Sequence, residues 1–308
     1  MSTQIVYDAE ESMLRGRSTR TGKVFVLAAL LILICFSACQ PRQAKKVFVI
    51  TDMEGVAGVF SRELQCIPFE SPRFEEARKL LTGEINAAVD GLIEGGATEV
   101  MVWDGHDGSR TLSALDIHPR ARLLAGLPIS STLELDSTYN AVIFIGQHAM
   151  AGAEKGVLSH SYSSTDVEGI WINGKPAGEI GARTMLAGTF GVPVVMLSGD
   201  TAACQEIRQL VPQVECAELK SGASRTAAFS LSHTAARALI REKARRAMER
   251  LSEFKPYKMI GPAEVKVKLT AKATTVFRVS EGVAQTDDRT WTFRGKDIIE
   301  AWLKYSSF

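Results

Sequence analysis

Two carboxylates two positions apart, Asp52 and Glu54, stand where the apolar run Val47–Ile50 gives out, and Gly55 follows at once. A continuous apolar run rich in Val and Ile suits a strand buried on both faces of a parallel sheet. Residues i and i+2 of an extended segment project to the same side, so the pair converges two anionic oxygens on one point, and Gly55 lets the chain turn away. The histidines are His106, His118, His148, His160 and His233. His106 and His148 sit just past apolar runs, in Asp104-Gly105-His106 and Gly146-Gln147-His148. Mixed imidazole and carboxylate donors suit zinc or a similar divalent ion, and a carboxylate shared by two ions recurs in dinuclear hydrolases. His118, before Pro119, and His233, at a helix start, read as ordinary polar side chains.

The elements that must position these groups form a repeating pattern. Ser71-Pro72 opens a helix whose apolar residues, from Phe74 to Leu92, recur at helical spacing until Gly95-Gly96 ends it. Strands are predicted at Thr98–Trp103, Ala141–Gly146 and Pro193–Leu197, the last leading through Ser198-Gly199-Asp200 into a helix reaching Leu210. In open α/β sheets ligands bind beyond the C-terminal strand ends, so Asp52, Glu54, His106 and His148 are expected to be neighbours. Asn173-Gly174, flanked by apolar residues, signals a hairpin, and Ala182–Thr189 a short helix. Glu179, before that helix, is electrostatically favoured there without any ligand role. His233–Leu251 reads as a solvated amphipathic helix, followed by strands at Glu264–Leu269, Thr274–Val279 and Thr290–Phe293 and a closing helix at Lys296–Tyr305. The predicted fold class is α/β, a mostly parallel sheet with flanking helices plus a smaller C-terminal α+β subdomain. Residues 46–225 form the metal-site domain and 226–308 a helix and the subdomain.

The N-terminus differs from the rest of the 308 residues. Arg15, Arg17, Arg20 and Lys23 precede the apolar-to-small run Val24–Ala38, which is short for a membrane span but suits a secretory signal. Its ending, Phe36-Ser37-Ala38-Cys39, resembles a bacterial lipoprotein signal, with an uncleaved anchor as the alternative. Residues 1–38 are therefore read as a signal segment and 39–45 as a linker, with the protein exported to the cell envelope (periplasm) and tethered at Cys39. Residues 1–38 carry four basic and three acidic groups, so the remainder is formally neutral, which argues against nucleic acid as partner. Cys66, Cys204 and Cys216 form no metal or disulfide framework and read as small buried apolar residues.

Five segments occur in the order found in the zinc-dependent D-aminopeptidase family: Asp52-Met53-Glu54-Gly55, Asp104-Gly105-His106, Gly146-Gln147-His148, Ser159-His160-Ser161 and Pro176-Ala177-Gly178-Glu179-Ile180-Gly181. The chain resembles that family from about Lys46 to near its C-terminus. The resemblance implies that Asp52, Glu54, His106, His148 and Glu179 hold two zinc ions per chain, Asp52 bridging, and that His160 is the catalytic histidine. It also implies a homo-oligomer, a ring-like decamer, acting on short D-peptides or D-amino-acid amides. A solute-binding lipoprotein that captures peptides without cleaving them is the competing reading. A dinuclear phosphoesterase lacks the support of a Gly-rich phosphate loop or Arg clamp.

Overall fold

A computed structural model describes residues 44–126 and 134–306. The expected signal segment, Cys39 and most of the linker lie outside the described residues.

The apolar runs build the first sheet. Strands β1 (Lys46–Thr51), β2 (Glu99–Trp103), β3 (Ala121–Leu124), β4 (Ala141–Gln147), β7 (Val194–Asp200), β8 (Glu215–Ser224) and β9 (Ala227–Ser230) lie in the order β3-β2-β1-β4-β7-β8-β9. All pairs are parallel except β8 with β9. Every residue of β4 and β7 is buried, as continuous apolar runs demand. The strand order reverses direction between β1 and β4, the position at which such sheets open a crevice. Register sets the crevice floor level: Ile50 lies opposite Trp103, and Thr51 opposite Ile145. The segments leaving β1, β2 and β4 therefore start at the same height.

Helices α1 (Phe74–Glu94), α3 (Thr201–Leu210) and α4 (His233–Glu249) flank this sheet. Ala236, Ile240, Ala244 and Met248 of α4 join Leu81, Ile85, Ala88 and Leu92 of α1 in one core. A second sheet, ordered β11-β12-β10-β5-β6, comprises β5 (Val167–Ile172), β6 (Lys175–Ala177), β10 (Ala263–Leu269), β11 (Val283–Asp287) and β12 (Thr290–Gly295). It is antiparallel, its β10 alternates buried and half-buried residues, and α5 (Ile298–Ser306) packs Trp302 into its core.

Two elements sit across the boundary expected at 225/226. The Asn173-Gly174 hairpin pairs with β10 in the second sheet, whereas α4 belongs to the first core. Helix α2 (Glu179–Thr189) serves both: Ile180 and Ala187 enter the first core, Ala182, Met185 and Leu186 the second. The strand expected at Thr274–Val279 does not form. Backbone N–H and hydroxyl groups of Thr274 and Thr275 all donate to Asp166 Oδ2, so a side chain takes the donors a ladder would need. Cys66, Cys204 and Cys216 are free and buried.

Candidate metal centre

Asp52 continues the β1 ladder by one bond, its N–H donating to the Ile145 carbonyl at 2.9 Å. The chain then bends at Met53 and turns at Glu54-Gly55, so the extended i, i+2 geometry expected for Asp52 and Glu54 does not persist. Their carboxylates nonetheless converge, because the turn is held from outside. The Gly55 N–H donates to the Gly146 carbonyl at 2.7 Å, and the buried ammonium of Lys220, on β8, donates to the carbonyls of Glu54, Val56 and Val59. Burial lowers the Lys220 ammonium to about 8.

The convergence has a definite pattern. His106 Nδ1 lies 3.1 Å from Asp52 Oδ1 and 3.2 Å from Glu54 Oε2. On the other side His148 Nε2 lies 3.2 Å from Asp52 Oδ2 and 3.4 Å from Glu179 Oε1, and His160 Nε2 lies 3.9 Å from the same Glu179 oxygen. Asp52 thus offers one oxygen to each imidazole. Its position is fixed further by the Met53 N–H on Oδ1 and by the Gln147 side-chain amide on Oδ2, at 2.8 and 2.9 Å. Glu179 leads α2 and accepts the Tyr162 N–H at 3.1 Å.

Each imidazole contacts a backbone carbonyl through one ring nitrogen: His106 Nε2 with Cys66 O at 2.6 Å, His148 Nδ1 with Ala149 O at 2.9 Å, His160 Nδ1 with Leu158 O at 2.8 Å. A carbonyl only accepts, so these nitrogens carry protons, and the other nitrogen of each ring faces carboxylate oxygens. Such a contact is favourable with a metal cation between the two groups or with a second proton on the ring. Glu54 Oε2 and His148 Nε2 are buried without a hydrogen-bond partner, as ligand atoms would be.

The ionisation balance carries the same message. Burial, reinforced by Glu54 and Glu179, raises Asp52. Burial alone would raise Glu54 and Glu179 too, yet His106 beside the one and His148 beside the other hold both below the usual carboxylate range. Burial works against protonating His106 and His148, but Glu54 and Asp52 around the first, and Asp52 and Glu179 around the second, raise both well above normal. The cluster demands positive charge, and oxygen plus imidazole donors fit zinc. Two ligand triads, Asp52-Glu54-His148 and His148-His160-Glu179, have atoms all within 4.8 Å of one another. His160 stacks on His148 with ring centroids 4.0 Å apart, and burial together with that neighbour depresses its pKa. It lines a cavity of about 220 Å³ with Asp52, Glu54, His106, Glu179 and Tyr162.

All six residues singled out from the sequence meet here. His118 pairs instead with Asp90 at 3.3 Å, and His233 begins α4, away from the cluster. Sequence reasoning missed Gln147 as the brace on Asp52, although it stood in the quoted Gly146-Gln147-His148 segment. It also missed Lys220, which no local pattern distinguishes from an ordinary strand lysine.

The chain is also similar to known proteins. The family model described as D-aminopeptidase matches residues 45–305. The D-aminopeptidase of Bacillus subtilis (strain 168) is 31% identical over 261 residues, which take in 83% of this chain and 94% of that protein. Among solved structures, the Zn-dependent D-aminopeptidase DppA from Bacillus subtilis, described as a self-compartmentalizing protease, matches with a TM-score of 0.77 at 29% identity. That match covers 84% of this chain and 95% of DppA.

Proposed function

The chain belongs to the D-aminopeptidase family, and from that premise we propose that it is a zinc-dependent aminopeptidase that removes N-terminal D-residues from short peptides or amides. Family membership sets it among hydrolases and leaves the peptide-binding lipoprotein reading without support. Asp52, Glu54, His106, His148 and Glu179 would hold two zinc ions, with Asp52 between them. The observation that carries this reading is Asp52 itself, which turns one oxygen to His106 and the other to His148. Bound zinc supplies Lewis acidity, polarising the scissile carbonyl and lowering the pKa of water toward ~7.

The chain's own residues do the rest. His160, neutral because its pKa is depressed and fixed as a tautomer by Leu158 O, presents Nε2 toward Glu179 at the cavity wall. It accepts a proton from attacking water and delivers it to the leaving amine. DppA is described as self-compartmentalizing, which supports a homo-oligomer for this chain; that the oligomer is a decameric ring rests on the family resemblance. The Val24–Ala38 run before Cys39 supports a tethered location in the cell envelope, which fractionation of cells expressing the full chain and its Cys39→Ser variant tests.

Metal analysis of the purified protein, with hydrolysis of D-Ala-D-Ala and L-Ala-L-Ala measured side by side, tests the function. About two zinc per chain and release of D-alanine alone are expected. Equal cleavage of the L-peptide, or turnover that survives complete zinc removal, overturns it.

A further inference from the structure

His160 is shared by two cavities of opposite character. The one beside the metal centre carries Asp52, Glu54, Asp107 and Glu179, with Arg62 as its cation. The second, of about 380 Å³, also counts His160 and Ser164 in its wall, yet no carboxylate lines it and two cations do, Lys155 and Arg225. The loop that carries His160 is anchored by hydrogen bonds. Arg225, in the turn joining β8 to β9, accepts the Leu158 N–H on its carbonyl at 2.8 Å, and its Nε and Nη2 reach the Ser159 carbonyl at 3.4 and 3.3 Å. The Val157 N–H donates to Asp200 Oδ2 at 2.6 Å. Lys155 stands on the same loop, in the left-handed region with φ of 55°.

The cavity on the far side of His160 is therefore basic, whatever charge the metal centre carries. A short peptide held by its amino end at the metal centre carries a carboxylate at the other end. We propose that the second cavity is the leaving-group subsite, in which Lys155 and Arg225 receive the free C-terminal carboxylate of the substrate. The assignment rests on the aminopeptidase reading and adds a preference for short peptides with an ionised C-terminus over amides.

The test is the ratio of kcat/KM for D-Ala-D-Ala to that for D-Ala-D-Ala amide, which differ only in the terminal carboxylate. The wild-type ratio should be about tenfold or more, the scale of one charge-assisted hydrogen bond at a part-open site. Lys155→Glu should bring it to one or below. Arg225→Lys, which keeps the charge but loses the planar donor fork, should lower it less. A merely structural lesion would slow both substrates and leave the ratio unmoved. A wild-type ratio near one, or a ratio unaffected by Lys155→Glu, overturns the subsite while leaving the aminopeptidase reading standing. Hydrolysis of neither peptide by zinc-loaded wild type overturns both.

Discussion

Replacing Gly55 by Ala should disable the centre without touching a ligand. A Cβ built on Gly55 falls 2.1 Å from the Gln147 carbonyl oxygen and 2.5 Å from the carbonyl carbons of Gln147 and Gly146. Non-bonded carbon and oxygen rarely approach within about 3.2 Å, so the exits of β1 and β4 must part by roughly 1 Å. Nothing soft can absorb the shift, since every clashing atom is backbone. The same displacement separates Asp52 and Glu54, on the β1 side, from Gln147 and His148, on the β4 side. A misplacement of ~1 Å costs on the order of 10²-fold in rate, and overpacking of this kind about 1–3 kcal/mol of stability. D-Ala-D-Ala turnover at saturating zinc should fall about a hundredfold, and chelator competition should show weaker zinc binding. Gly174→Ala provides the control: φ there is 77° with nothing within 4 Å, so it should cost stability through backbone strain and leave zinc affinity unchanged. A Gly55→Ala protein with wild-type turnover and zinc affinity would refute the claim that close contact between the two strand exits sets the ligand geometry.

His160→Ala should cut kcat by about 10²–10⁴-fold with zinc content intact, whereas His148→Ala should lose bound zinc; the reverse pattern would exchange their roles. Gln147→Ala removes the amide that braces Asp52 Oδ2 and should weaken zinc binding about 10–100-fold, read by the same chelator competition; undiminished affinity would discount the brace. Glu84, fully buried, is raised from 4.5 to about 8 by burial, the Ala57 N–H and Lys220 opposing. Since its folded pKa lies above the unfolded one, its stability contribution is complete below pH 4.5 and is lost as pH rises toward 8. Glu84→Gln should therefore gain about 3 kcal/mol on the wild type between pH 4.5 and 7 in urea titrations, and parallel curves would contradict this.

The parts of the fold that were legible are those in which one physical demand governs a segment. Val47–Ile50, Ala141–Gly146 and Pro193–Leu197 had to be central parallel strands because they are apolar throughout, and Asn173-Gly174 supplies a turn that few other pairs can. Strands β3, β8 and β9 were not legible, since they are edge-ward and mix polar with apolar residues. The false strand at Thr274–Val279 followed from β-branched composition, which cannot reveal that Asp166, more than a hundred positions away, claims the threonine donors. Within the centre, residue types and strand-end positions brought out Asp52, Glu54, His106 and His148. Glu179 and His160 lie on a segment that leaves the first sheet altogether, so only the resemblance to a family pointed to them.

Glu179 rides at the head of a helix with one flank in each of two cores, while its companions in the centre are anchored to the parallel sheet. A cation held by both parties gains its full binding free energy only when each has folded, and that energy is returned as stability to the whole. A chain in which only the first sheet has folded presents Asp52, Glu54, His106 and His148 without Glu179, so it would hold its cations less tightly. The complete ligand set would arise last, once both halves have closed.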